Sequence, residues 1–158
     1  MKHLNYLLMA LFLLIGVSES SAQQRKIGVG LIIGEPTGIS LNLWRTPVKA
    51  IAFGLGWSAF QHQTDTQTTR IHLHMDFLRH SFNTIRTQEQ ISVYYGVGGR
   101  FVGGTGISSS LAVRGVLGID WLPQWTPLDL FVEVAPSLDV VPATNFNLDA
   151  ALGIRYYF

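Results

Sequence analysis

From Ile27 onward, apolar side chains recur at every second position. The last segment shows this plainly. Phe146, Leu148, Ala150, Leu152, Ile154, Tyr156 and Phe158 alternate with Asn147, Asp149, Ala151, Gly153, Arg155 and Tyr157. A period of two places the two sets on opposite faces of an extended strand. The same split runs through Ile27–Gly34, Ile39–Leu43, Ile51–Ser58, Ile71–Leu78, Ile91–Phe101, Leu111–Trp121 and Leu128–Asp139. Helical spacing is not found in any convincing segment. Turn chemistry separates the segments at Glu35–Gly38, Arg45–Pro47, Gly103–Gly106, Pro123–Pro127 and Pro142–Asn145, with polar stretches at Gln61–Thr69 and Ser81–Gln90. Eight segments are an even number, and most approach the roughly 9–11 residues that a tilted spanning strand needs. The expected fold is therefore all-β, an eight-stranded antiparallel up-and-down transmembrane β-barrel.

Alternation alone does not say which face points inward. A soluble, lipocalin-like barrel would turn its apolar face in around a ligand, and Gly54–Trp57 contains a Gly-x-Trp like that of lipocalins. In that family the motif sits on the first strand; here it falls on the third. Side-chain size argues for the other sense. The apolar face carries the bulky residues, whereas the polar face is rich in Gly, Ala and Ser with a few charges. Eight strands enclose a space just wide enough for side chains to fill. Small and charged residues suit that interior, and the bulky face would then meet lipid. Trp44, Trp57, Trp121, Trp125, Tyr156 and Phe158 lie near strand ends, where aromatic girdles sit.

Composition adds export. Lys2 and His3 precede the apolar run Leu7–Val17, and Ser20-Ser21-Ala22 supplies small residues at a cleavage site. Residues 1–22 read as a secretory signal peptide, and residues 23–158 as the barrel domain. The alternative, an anchor helix, needs a run of ~20 apolar residues. The chain has no cysteine, which removes disulfides, thiolate metal sites and a lipidated N-terminal Cys. The formal net charge of +1 leaves no electrostatic footprint of nucleic-acid binding.

Ala151–Phe158 (ALGIRYYF) ends on an aromatic with apolar residues at alternate positions before it. It resembles the C-terminal signature by which outer-membrane barrels are recognised by the barrel assembly machinery, carried here by Leu152, Ile154, Tyr156 and Phe158. The whole mature chain resembles small barrels of the OmpA-domain and OmpX type. That resemblance implies a bacterial outer-membrane location, outer-membrane lipids as partners, a monomer and no cofactor. It also implies periplasmic termini and outside loops at Glu35–Thr37, Phe60–Thr69, Val102–Ser110 and Val141–Thr144. These are short for the family, and the periplasmic connection Ser81–Gln90 is long. Arg45, Lys49, Arg79 and Arg86 gather on the periplasmic side.

Candidate chemistry lies on the inner face. Asp76, Arg100, Arg114, Asp120, Asp129, Glu133, Asp149 and Arg155 all fall there. Isolated charges in a narrow space are costly, so these should pair. Two groups are expected: Asp120, Asp129 and Arg155 towards the periplasmic end, and Arg100, Arg114, Glu133 and Asp149 higher. A polar plug is one reading and a narrow ion or proton path the other. His72, His74 and Asp76 share one strand face and are weak candidate metal ligands, against plain interior hydrogen bonding. A lipid acyl hydrolase or transferase would need a Ser near a His, and the mature chain offers His62, His72, His74 and His80. No family-specific Ser/His motif is present, so no catalytic residue is assigned. Gly28-x-Gly30 has no following helix to make a phosphate cradle and reads as strand glycine facing a crowded lumen. The functional expectation is a structural or interaction protein of the cell envelope. The alternative is a narrow pore or a carrier of a small ligand.

Overall fold

The structure, a computed structural model, describes residues 26–57, 70–82, 84–85, 89–105 and 108–158. The expected signal peptide, the loop Phe60–Thr69 with His62, and Arg86 lie outside the described residues. Eight strands follow one another: β1 Ile27–Gly34, β2 Thr37–Thr46, β3 Lys49–Trp57, β4 Arg70–Ser81, β5 Ile91–Gly104, β6 Ser110–Trp121, β7 Leu128–Val141 and β8 Asn145–Tyr157. Each pairs antiparallel with the next, and β8 returns to β1, closing the barrel. Closure leaves no strand edge unpaired, which is how such a sheet satisfies its backbone groups without water.

Several strands outrun their apolar pattern. β2 continues through Trp44 to Thr46, and β5 continues through Gly103 and Gly104, which pair with Ile71 and Arg70. Ladder bonds depend on a backbone partner and not on side-chain polarity, so pairing persists where alternation fades. The connections shorten accordingly, to Glu35–Pro36 between β1 and β2 and Pro142–Thr144 between β7 and β8. The β6–β7 pairing passes from Arg114↔Ser137 to Leu117↔Val134, stepping over Pro136, which has no N–H for a ladder bond.

The apolar face is outside. Val97 is 64% exposed, Val132 61%, Leu148 65% and Leu31 58%, and every strand contributes such residues. The inner face holds Ala50, Ala52, Leu78, Tyr94, Val116, Phe131, Ala135 and Ala151, all buried, together with the charged side chains.

Inside, large rings lie over glycines on the neighbouring strand. Tyr157 pairs with Gly28, His74 with Gly54, Tyr94 with Gly118 and Phe131 with Gly153. In each case a Cβ on the glycine would strike the facing ring. Alternating large and small residues in this way lets side chains fill a narrow lumen. Gly34 has φ +137° at the β1–β2 connection, where an L side chain is strained. Gly153→Val is expected to cost about 1–3 kcal/mol by overpacking. Phe131 would be pushed off its seat beneath the Arg155 guanidinium. A denaturant titration of the refolded barrel measures this, and an unchanged midpoint would contradict the ring-over-glycine packing.

Candidate functional site

The lumen is organised in tiers, described here from the base, the end of the Pro47–Val48 and Pro123–Pro127 connections. Inward-facing residues come from every second position of each strand, so an inward-facing charge on any strand enters the same space. At the base, Arg155 of β8 donates from Nη1 to Asp129 Oδ2 at 3.0 Å and from Nε to Ser40 Oγ at 2.9 Å. Its guanidinium lies 3.7 Å from the centre of the Phe131 ring, a cation–π contact. The Tyr157 hydroxyl donates to the same Asp129 oxygen at 3.2 Å and accepts from Asn42 Nδ2 at 2.7 Å. On another wall, Asp120 accepts a hydrogen bond from Ser92 Oγ and lies 3.2 Å from His80 Nε2.

In the middle tier Arg114 of β6 bridges two carboxylates. Its Nη2 donates to Glu133 Oε1 at 3.2 Å, and its Nε lies 3.2 Å from Asp76 Oδ1. The second contact is an ion pair by distance but is not aligned as a hydrogen bond. Tyr94 donates its hydroxyl to Glu133 Oε2 at 3.0 Å. At the top, Arg100 of β5 grips Asp149 with Nη1 at 3.0 and 3.2 Å and donates from Nη2 to Asp139 Oδ1 at 2.8 Å. Asn147 Nδ2 completes this tier on Asp139 Oδ2 at 2.9 Å.

All eight charged residues singled out from the sequence are buried in this space. Asp120, Asp129 and Arg155 stand at the base, and Arg100, Arg114, Glu133 and Asp149 stand above it. Asp120 joins His80 and Ser92 instead of Arg155, and Arg100 and Arg114 hold separate tiers. Strand neighbours in sequence suggest partners across one ladder. The lumen also brings together side chains from strands that are not hydrogen-bonded neighbours, such as β5 with β7 and β8. Asp139, Ser92, Tyr94, Asn42, Ser40 and Tyr157 also belong to the network, as does His80, which the sequence offers only as a candidate base. Their inward parity was readable; their partners were not.

Trp44 corrects the expected aromatic girdle. It sits on the inner parity of β2 and packs against the core at the lumen base, its ring 4.3 Å from that of His80. Trp57, Trp121 and Trp125 are exposed. On β8, Leu152 and Ile154 face outward, and Phe158 just beyond the strand is exposed. The Tyr156 ring lies 5.0 Å from that of Phe158, and Phe158 N donates to Ile27 O at 2.9 Å.

His72, His74 and Asp76 are buried on one face of β4. His74 Nε2 is 3.8 Å from Asp76 Oδ2, while Asp76 also faces Arg114. Among the described residues no three His, Asp or Glu side chains form a group able to hold a metal ion. His80, Asp120 and Ser92 have the composition of a hydrolase triad in the wrong order. The carboxylate stands between hydroxyl and imidazole, so the imidazole is not placed to take the hydroxyl proton.

Neither a protein-family model nor a curated protein sequence matches the chain. Among solved structures, the attachment invasion locus protein Ail of Yersinia pestis is similar. It has 11% identity, 84% of this chain and 94% of that one covered, and a TM-score of 0.38. The fold is a closed eight-stranded up-and-down barrel. That assignment stands on the continuous strand ladder itself.

Proposed function

We propose that this chain is a small integral barrel of a bacterial outer membrane. In this reading it has a structural or interaction role in the envelope, and its lumen is closed by a polar plug. The observation that carries this reading is the apolar outer surface on all eight strands around a buried, paired charge network. A water-soluble barrel would hide those side chains, because contiguous exposed apolar surface of this extent is not tolerated in water. Lipids of the outer membrane are the partners of that surface. The outward row Leu152, Ile154, Tyr156 and Phe158 is the segment offered to the barrel assembly machinery. A monomer needs no further surface covered. Membrane fractionation with a heat-modifiability gel tests the location: the unboiled barrel is expected in the outer-membrane fraction with altered mobility. Recovery as a soluble periplasmic protein would overturn it.

A second reading, a narrow path for protons or small ions, is supported by buried polar atoms that have no protein hydrogen bond. These include His72 Nε2, His74 Nδ1, Arg100 Nε and Ser137 Oγ. The plug reading is preferred because three arginines bind carboxylates at successive levels and Trp44 packs against the core at the base. Single-channel recording on the reconstituted protein is expected to give no steady openings on the nanosiemens scale. Such openings would replace the plug with a pore.

A further inference from the structure

Lys49 opens β3 and Arg79 lies near the end of β4, and the two are directly opposed across the ladder. Both are exposed, and both share the outward parity of Ile51 and Phe77. Like charges facing each other on one side of a sheet repel and destabilise the pairing. Arg45 adds a third exposed cation in the adjacent hairpin, at the bulge between Trp44 and Thr46, where Thr46 pairs with Lys49. Among the described residues no carboxylate forms an ion pair with any of the three. The three arginines of the lumen, by contrast, are all paired.

The cluster lies where the apolar belt stops. Above Lys49 on the outer face come Ile51, Phe53, Leu55 and Trp57; above Arg79 come Phe77, Met75, Leu73 and Ile71. Long basic side chains at such a boundary lay their methylene stems on apolar surface and place their charge at headgroup level. We propose that Lys49 and Arg79, with Arg45, bind the phosphate of an anionic phospholipid headgroup at the base rim of the barrel. This rests on the membrane reading above. The repulsion between the two opposed cations is relieved by a shared anion. The belt above them accommodates the acyl chains, so a lipid fits the whole surface and a free phosphate only its lower edge. A zwitterionic lipid would bring its own ammonium into a cationic cluster. The site therefore selects a headgroup of net negative charge.

The test is native mass spectrometry of the folded protein in detergent with equimolar phosphatidylglycerol and phosphatidylethanolamine. Wild type, Lys49→Gln, Arg79→Gln, the double variant, and Arg70→Gln at the opposite rim are compared. Wild type is expected to retain phosphatidylglycerol preferentially. Each single change should weaken retention roughly fivefold and the double change on the order of 25-fold, following the usual attraction per basic residue near an anionic surface. Arg70→Gln should behave as wild type, and millimolar inorganic phosphate should not displace the lipid. Equal retention of the two lipids, equal retention by the double variant, or displacement by phosphate would each overturn the lipid site. The single variants keep the test decisive if the double variant fails to fold. Insertion of the wild type into vesicles is scored separately. Failure to insert overturns the membrane reading and this site together, whereas insertion without headgroup preference overturns this site alone.

Discussion

Arg114→Met is expected to lower the unfolding free energy of the reconstituted barrel by about 3–5 kcal/mol, the cost of removing one partner from a buried ionic network. Arg114 is 1% exposed and stands between Asp76 of β4 and Glu133 of β7. Its loss leaves two buried carboxylates without their shared cation. Methionine fills much of the arginine stem volume, so the effect reads charge and not a cavity. Truncating one member is costly because the others keep their desolvation penalty. The combined variant Arg114→Met, Asp76→Asn, Glu133→Gln should therefore regain much of the loss. Urea titration in lipid vesicles, followed by the fluorescence of the four tryptophans, measures both. A change below about 1 kcal/mol for the single variant would mean that the middle tier is not an electrostatic tie.

Val97→Arg should cost roughly 2–4 kcal/mol in a bilayer, the penalty for arginine at the lipid midplane of a spanning barrel. Val97 sits mid-way along β5, is 64% exposed, and pairs with Phe77 and Gly115 on the outer face. Exposed positions of a barrel in water tolerate such a change within about 0.5 kcal/mol. One substitution thus separates the two senses of the barrel that alternation leaves open. The companion Gln124→Arg, exposed in the β6–β7 connection, should be nearly neutral in both settings. Vesicle insertion yield and urea midpoint are the readouts. Equal tolerance of arginine at Val97 and Gln124 would remove the bilayer from the account.

Local chemistry made the strand pattern legible. Period-two alternation needs only the strand's own geometry, and Pro and Gly mark connections through their own backbone limits. The eight strands, their parity and the inward set containing Asp76, Arg100, Arg114, Asp120, Asp129, Glu133, Asp149 and Arg155 follow from that. Face polarity followed from bulk, because Gly28, Gly54, Gly118 and Gly153 leave room that only an interior ring fills. Trp44 shows the limit. As an aromatic near a strand end it resembles a girdle residue, and only its packing against His80 reveals that it belongs to the lumen side.

Parity was in the chain; partnership was not. Arg100 meets Asp139 and Asp149 from β7 and β8, neither of which pairs with β5. That meeting depends on how far each ladder is staggered when the sheet closes, a property of eight registers taken together. Alternation along a single strand says which side a charge faces. Closure of the barrel sets the height at which it stands, and in a narrow lumen height decides which opposite charge lies within 3 Å or so of it.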